Sequence, residues 1–504
     1  TNSGRTQGSP LQWKWYAISL VLFVLALLSK SVTSSLPAVV LLIIYWKRGR
    51  ITMRDVLPLL PFFVLGIAMG ALTGWMEREI VGAKGPEFAF GFVERFLIAG
   101  RAVWFYATKL IWPHPLIFMY ERWWIDPARL WQFAFPLAAA GVVVSLWMLR
   151  HRLGRGPLVA ALFFGGTLFP ALGFVNVLPM RYSFVADHFQ YLASLGLLTL
   201  FAAGLCRCAP TRVAALLTGI ACAALGVLTW RHAHDFKDLE TLWTRTLAKN
   251  PTSWMARNNY GTLLQERGDY DAATHEFYQA IALKPDHVRA RLNLGMIAER
   301  RNDLAGARAL YDEALAIKPD FAEGHYNLAR LLASQGKFDE AAEHYRHAIA
   351  ADPRNEAAHT NLGVLLAERG DAAGAMNHYR RALEIDPDSY LARVNLGNLY
   401  LSANRIDDAL AEWNRALAIQ PRSHLIRNNI ALVLAALGRL DEAERMLREA
   451  LAIKPDSVDV LTNLGIVRAK KGDRTGAERY LSAAVKLDPN NAKARAQLEA
   501  LRRP

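Results

Sequence analysis

Residues 354–387 read RNEAAHTNLGVLLAERGDAAGAMNHYRRALEIDP, and this stretch decides the fold because the chain repeats its pattern at a fixed spacing. Prolines stand at Pro251, Pro285, Pro319, Pro353, Pro387, Pro421, Pro455 and Pro489, each 34 residues after the last. Ala273, Ala307, Ala341, Ala375, Ala409, Ala443 and Ala477 share one phase of that period; Ala280, Ala314, Ala348, Ala382, Ala416, Ala450 and Ala484 share another. Between them lies a bulky slot, Phe277, Tyr311, Tyr345, Tyr379, Trp413, Leu447 and Leu481. Small residues fit where paired helices cross closely, and a proline cannot continue a helix, so each one ends the second helix of its unit. The pattern predicts seven complete helix-turn-helix units over residues 254–487 and a solvating helix over 491–503. Such units stack into a solenoid, because no single one can bury its own apolar face.

The 34-residue period with this small–bulky–small pattern is identified as that of the tetratricopeptide repeat (TPR). At the sixth position of each unit stand Asn259, Asn293, Asn327, Asn361, Asn395, Asn429 and Asn463. A primary amide both donates and accepts, so a ladder of seven can pair with the main chain of an extended peptide of any sequence. The ladder resembles that of the O-GlcNAc transferase TPRs. The same amides can equally bond neighbouring helices, and the spacing alone leaves both roles open.

Residues 1–230 differ in kind, being rich in Leu, Val, Phe and Trp. Uncharged runs cover Trp15–Ser29, 31–46, 56–76, 130–149, 156–180, 189–206 and 213–230. About 20 apolar residues cross a bilayer, so seven spans are expected, the first two as a hairpin with Lys30 at its rim. A signal peptide at 15–28 is disfavoured because a second apolar run follows with no small-residue cleavage pattern. Basic residues fill three short loops: Lys47, Arg48, Arg50 and Arg54; Arg150, Arg152 and Arg155; Arg207 and Arg212. Positive loops face the cytoplasm. With Arg5 and Lys14 on that side too, the repeat array is expected outside the cytoplasm, at the bacterial inner (plasma) membrane. The expected domains are a polytopic part at 1–230, a connector and partial repeat at 231–253, the repeats at 254–487 and a cap at 488–504.

The net charge of +14 belongs to this topology and not to nucleic acid. Residues 1–230 hold twenty Lys and Arg against eight Asp and Glu, whereas the rest is nearly balanced. Cys206, Cys208 and Cys222 all lie in or beside the last apolar runs, so no disulfide framework is expected. His232, His234 and Asp235 could ligate a metal, although polar residues at a helix exit explain them more cheaply.

Two segments at the outer face carry the remaining chemistry. Residues 92–111 read as a helix with Glu94, Arg101 and Thr108 on one stripe beside Arg95 and Lys109, suited to the interface plane. The aromatic turn Trp112-Pro113-His114-Pro115 and then Tyr120-Glu121-Arg122-Trp123-Trp124 follow it. Before the sixth apolar run stand Arg181, Asp187, His188 and Tyr191. Forked donors such as Arg suit a lipid phosphate; Arg95, Arg101, His114, Arg181, Asp187, His188 and Tyr191 are therefore the candidate donor-lipid set. An aromatic belt with snorkelling cations accounts for the same composition.

The whole order of parts resembles the transmembrane-and-TPR protein O-mannosyltransferases and their bacterial relatives, in the GT-C class. It rests on the Trp-Pro-His-Pro-Leu turn, the Arg181-Tyr182 pair, the run Asp187-His188-Phe189-Gln190-Tyr191-Leu192-Ala193-Ser194-Leu195-Gly196 and the trailing TPRs. The resemblance implies an all-α chain, a partial GT-C-like membrane domain followed by an α-solenoid. It implies a polyprenyl-phosphate sugar as donor, mannose by analogy, transferred to Ser or Thr of a protein acceptor held in the TPR groove; a divalent metal is compatible with the class. His188 stands where relatives carry Arg. The catalytic acidic motif that the family places in its first external loop is absent, so no catalytic residue is assigned. The polar start Thr1-Asn2-Ser3-Gly4, without Met, is expected to mark missing amino-terminal spans. A non-enzymatic, membrane-anchored TPR scaffold is the alternative.

Overall fold

The computed structural model describes residues 10–502; Thr1 to Gly4, Arg5 and Arg503 lie outside the described residues. Among the described residues all regular structure is helical. The chain divides into two compact units, residues 1–285 and 286–504.

The first unit begins with α1 (Pro10–Ser29), α2 (Leu36–Arg48) and α3 (Leu60–Glu79). Phe23 and Leu27 of α1 pack on Phe62 of α3, and the Tyr16 hydroxyl donates to the carbonyl of Pro58 at 2.7 Å. Then come α4 (Phe92–Ile111), α5 (Ala134–Met148), α6 (Gly156–Leu168), α7 (Tyr191–Cys208) and α8 (Thr211–His234). The crossing of α4 and α5 requires glycine: a Cβ on Gly100 would lie 2.5 Å from the Pro136 ring.

Among the described residues four helical segments are long and apolar enough to cross a membrane: Met53–Glu79, Leu130–Met148, Asp187–Cys208 and Thr211–His234. Trp13–Ser29 and Gly156–Ala171 are apolar but shorter. The expected span at 156–180 does not form one helix, because Pro170, Gly173 (φ 89°) and Pro179 interrupt it. The run at 31–46 is likewise divided between a 3₁₀ turn, Ser31–Ser35, and α2. The segment at 92–111 is helical over its whole expected length, but one face is buried: Leu97, Ile98, Ala102 and Tyr106 pack inward. Of its polar residues, Arg95, Arg101 and Lys109 also meet protein groups, and Thr108 is exposed. Two of the basic loops lie together, with the Arg155 guanidinium seated over Gly49.

After α8 the unit continues with α9 (Leu239–Lys249) and the first complete repeat, α10 (Trp254–Glu266) and α11 (Tyr270–Leu283). The second unit holds six further helix pairs, from Val288–Arg300 with Leu304–Ile317 to Val458–Lys470 with Arg474–Leu487, closed by Ala492–Arg502. The local chemistry repeats with the fold. The residue before each proline is extended (Lys318 φ −133°, Asp352 φ −134°), as the pyrrolidine ring demands. Between paired helices one slot is left-handed throughout: Gly268 in the first unit, and Asn302, Gly336, Gly370, Asn404, Gly438 and Gly472 in the second. Glycine takes that conformation without strain, and asparagine is the side chain that tolerates it best.

Candidate functional site

In the first unit the segment after α4 folds back onto the loop before α7. The buried Tyr120 hydroxyl donates to Asp187 Oδ1 at 2.7 Å, and the Tyr106 hydroxyl accepts from the Ala186 N–H at 3.1 Å. Burial first, then the Asp187 charge, pushes the Tyr120 phenol well above its ordinary range, so it stays protonated as a donor. Lys109 donates to the Pro115 carbonyl and lies over the rings of Phe105 and Tyr120, at 5.7 and 5.4 Å. Burial lowers its pKa while Asp187 opposes that shift.

The same aromatic segment is joined to the connector. Lys249 donates to the Leu116 carbonyl at 2.9 Å, and the Asn250 amide donates to the Met119 carbonyl at 3.1 Å. Glu87 holds Arg181 at 3.1 Å and Lys284, the last residue before Pro285, at 3.0 Å. Although burial pushes the Glu87 carboxyl up, the Lys284 hydrogen bond and the two nearby cations hold it below its usual value.

The seven residues chosen as a donor-lipid set are distributed over separate places. Arg95 is a structural clamp: its guanidinium donates to the carbonyls of Phe90, Gly173 and Phe88 and to Asn176 Oδ1, at 3.1, 2.7, 3.2 and 2.8 Å. Arg181 is engaged by Glu87, and Asp187 by Tyr120. Arg101 stacks over Trp123 at 4.6 Å and lines a cavity of about 290 Å³ with Tyr120, Glu121 and Lys249. His114 lines a different cleft, at the end of α8. The His188 ring meets Phe189 edge-on, and Tyr191 is exposed. Arg95→Lys tests the clamp. A lysine keeps the charge but cannot reach four acceptors, so the stability of the full chain in detergent, read from its denaturation, should fall by about 1 kcal/mol. Unchanged stability would return Arg95 to the ligand-binding candidates.

Among the described residues no group of three or more His, Cys, Asp or Glu is placed to hold a metal. His232 Nδ1 lies 3.5 Å from Asp235, and the cysteines are unpaired.

The asparagine ladder is not uniform. In the first unit Asn259 accepts from its neighbour Asn258 at 3.4 Å. In the second, Asn327 donates to the Glu323 carbonyl of its own helix at 2.8 Å, and Asn361 to the Tyr326 hydroxyl at 3.5 Å. Asn463 is buried between Asn428 and Lys493, 2.8 and 2.9 Å away. Asn293 also has a partner. Of the seven ladder asparagines, all among the described residues, Asn395 and Asn429 make no side-chain hydrogen bond, and both are half-buried. Four positions before each stands a leucine, Leu391 and Leu425, both 61% exposed, with Leu432 also exposed.

One feature of the array escaped the sequence reading although the period displays it. The fourth position of a repeat carries a cation paired with a carboxylate on the second helix: Arg257 with Glu276 in the first unit, Arg291 with Glu313, Arg393 with Glu412 and Arg427 with Glu449 in the second. In two consecutive repeats imidazoles replace both partners, with His325 Nδ1 2.9 Å from His344 Nδ1 and His359 Nδ1 3.0 Å from His378 Nδ1.

Family models described as tetratricopeptide repeat match residues 242–275, 261–320, 326–390, 366–430 and 434–501. Solved structures similar to the chain include YrrB, described as a TPR protein with an unusual peptide-binding site. It is 22% identical and aligns over 38% of this chain and 97% of its own, with a TM-score of 0.33. PilF of Pseudomonas aeruginosa is 21% identical over 42% of this chain and 97% of its own, at a TM-score of 0.39. PilW, a type IV pilus biogenesis factor, is 22% identical over 42% and 98%, also at 0.39. No curated protein matches the chain. The family matches and the repeated helix pairs agree, and residues 242–501 are an array of tetratricopeptide repeats.

Proposed function

We propose that the chain is a membrane-inserted protein whose repeat array captures an extended, uncharged segment of a protein partner. The observation that carries this is the pair Asn395 and Asn429, two unpartnered amides in the same register of successive repeats beside the exposed Leu391 and Leu425. A half-buried amide without a partner favours a ligand that supplies main-chain donors and acceptors. The neighbouring leucines offer apolar contacts between those polar ones. The ladder acts through these two members; the other five are engaged by the array itself.

Expected behaviour follows from that division. Asn395→Ala with Asn429→Ala should weaken binding of an uncharged peptide about tenfold, at about 0.5–1.5 kcal/mol for each hydrogen-bonding group. The thermal melt should stay put, because neither amide bonds the fold. Fluorescence-anisotropy titration of the full chain with a peptide library reads the first, and equal affinity of the variant would overturn the assignment.

A second reading, sugar transfer from a polyprenyl-phosphate carrier to Ser or Thr of the captured protein, is favoured by one observation. The aromatic segment, the loop with Asp187 and the first repeat are joined through Tyr120, Lys249 and Glu87. This reading links the first repeat, within the same unit, to a membrane-surface segment. The charge asymmetry supports an extracytoplasmic array at the bacterial inner membrane. Radiolabelled lipid-linked sugar given to the protein with an acceptor tests transfer; absence of label on protein leaves the scaffold reading.

A further inference from the structure

A cleft of about 510 Å³ opens where α8 ends, and its walls are basic. His114 and Leu116 line it from the aromatic segment, Trp230, Arg231, His232 and His234 from the last turn of α8, and Lys237, Arg245 and Lys249 from the connector. Four of these are cations at neutral pH, and Asp235 is the only carboxylate among the lining residues. Asp235 is already held by Lys249 at 2.6 Å, with Arg245 4.0 Å away. Burial pushes that carboxyl up, but the Lys249 hydrogen bond and charge outweigh it, so Asp235 is ionised.

A helix carboxy-terminus contributes about half a negative charge. Together with Asp235 that offsets roughly one and a half of the four cations and leaves an excess of more than two. Among the described residues Arg231 and Lys237 have no ion-pair partner. The Nδ1 atom of His232 is buried and faces Asp235 at 3.5 Å, beyond a good hydrogen bond. Helix-end complementarity therefore accounts for less than half of the basic charge here.

We infer that this cleft binds a phosphate-bearing anion. The guanidinium forks of Arg231 and Arg245 suit two oxygens of one phosphate, Lys237 supplies a mobile point charge, and His232 a further polar contact. Its position favours the headgroup of a membrane lipid over a soluble phosphate. Trp230, 64% exposed, and Leu228 continue the cleft into the apolar surface of α8, a helix long and apolar enough to cross a membrane. The site uses neither Asn395 nor Asn429 and requires no transfer chemistry.

The test uses the full chain in detergent, with native mass spectrometry of retained phosphatidylglycerol against phosphatidylcholine and equilibrium dialysis with labelled inorganic phosphate. Phosphatidylglycerol should be retained about tenfold or more over phosphatidylcholine. R231Q/K237Q/R245Q should bring the two to parity, and R231K/R245K, which keeps the charge but loses the forks, should fall between the parent and parity. If the triple variant does not fold, K237Q alone carries the test, with about a fivefold loss. Phosphate binding without lipid preference keeps the anion site and overturns the lipid as its source. Parity between the lipids with no phosphate binding, or a preference untouched by these substitutions, overturns the site.

Discussion

Trp413→Ala is expected to cost about 3–5 kcal/mol, the range for truncating a large buried aromatic. Trp413 is 1% exposed, and its Nε1 donates to the Val394 carbonyl at 3.3 Å. Gly397 is matched to it: a Cβ there would come within 2.5 Å of the indole. Gly295 against Tyr311, Gly363 against Tyr379 and Gly465 against Leu481 are the same pairing in other repeats. Interiors are close-packed, so the vacated volume is not refilled. For a unit of roughly 200 residues the melting temperature should fall by about 10 °C. Hydrogen exchange should localise the loss to residues 390–419. One repeat carries the exchanged pair: Leu447 lies in register with Ala431, and both are buried. Trp413→Leu should therefore be destabilising alone and partly restored by adding Gly397→Ala, the coupling expected of touching residues. A cost below 1 kcal/mol for Trp413→Ala would show that the bulky slot is not the clamp of each helix pair.

That slot also shows why the repeat half was readable. Proline, small and bulky residues recur at fixed phases, and each phase has one physical cause: a helix stop, a close crossing or a filled gap. The helix starts are capped locally as well, with Ser253, Asp303, Asn355 and Ser389 receiving the N–H three residues on. The membrane half was legible only as composition. An apolar run says that a segment avoids water but not whether one helix occupies it, and Pro170, Gly173 and Pro179 divide the run at 156–180. Residues 92–111 were readable as a helix, yet the burial of Tyr106 and the saturation of Arg95 depend on Ala186, Gly173 and Asn176, about 80 positions away. No local pattern carries such contacts. In the ladder a shared phase gives shared placement, not shared partners: Asn463 meets Asn428 and Lys493, and Asn395 has no such neighbours in hydrogen-bond reach.

Lowering the pH from 7 to 5 is expected to loosen the middle of the array, and the two histidine pairs set the sign. His325 Nε2 contacts the Pro319 carbonyl at 2.9 Å, so that nitrogen carries the hydrogen. Its Nδ1 then accepts from the Nδ1–H of His344. His359, with Nε2 3.4 Å from the Pro353 carbonyl, repeats this with His378. A further proton turns each acceptor into a donor facing a donor. Burial is the first cause lowering all four pKa values. The surroundings are mixed: His347, Arg308 and Asp312 act on the first pair, and Glu356, Arg381, Arg346 and Asp371 on the second. The unfolded chain titrates near the ordinary histidine value of about 6.5, so below it the unfolded state binds more protons than the folded one. Stability is thus full above about pH 6.5 and falls as the pH drops towards the lower folded values. One hydrogen bond lost per pair is about 1 kcal/mol, or about 2 kcal/mol for both. The melting temperature should fall by about 4–8 °C, with exchange protection lost first over residues 322–385. The array contains its own control. H325R/H344E with H359R/H378E installs the Arg–Glu pairing found at Arg393 and Glu412, 2.8 Å apart, which stays charged across this range. That variant should melt alike at pH 7 and pH 5, and if it softens as much as the parent, the imidazole pairs are not the origin of the acid sensitivity.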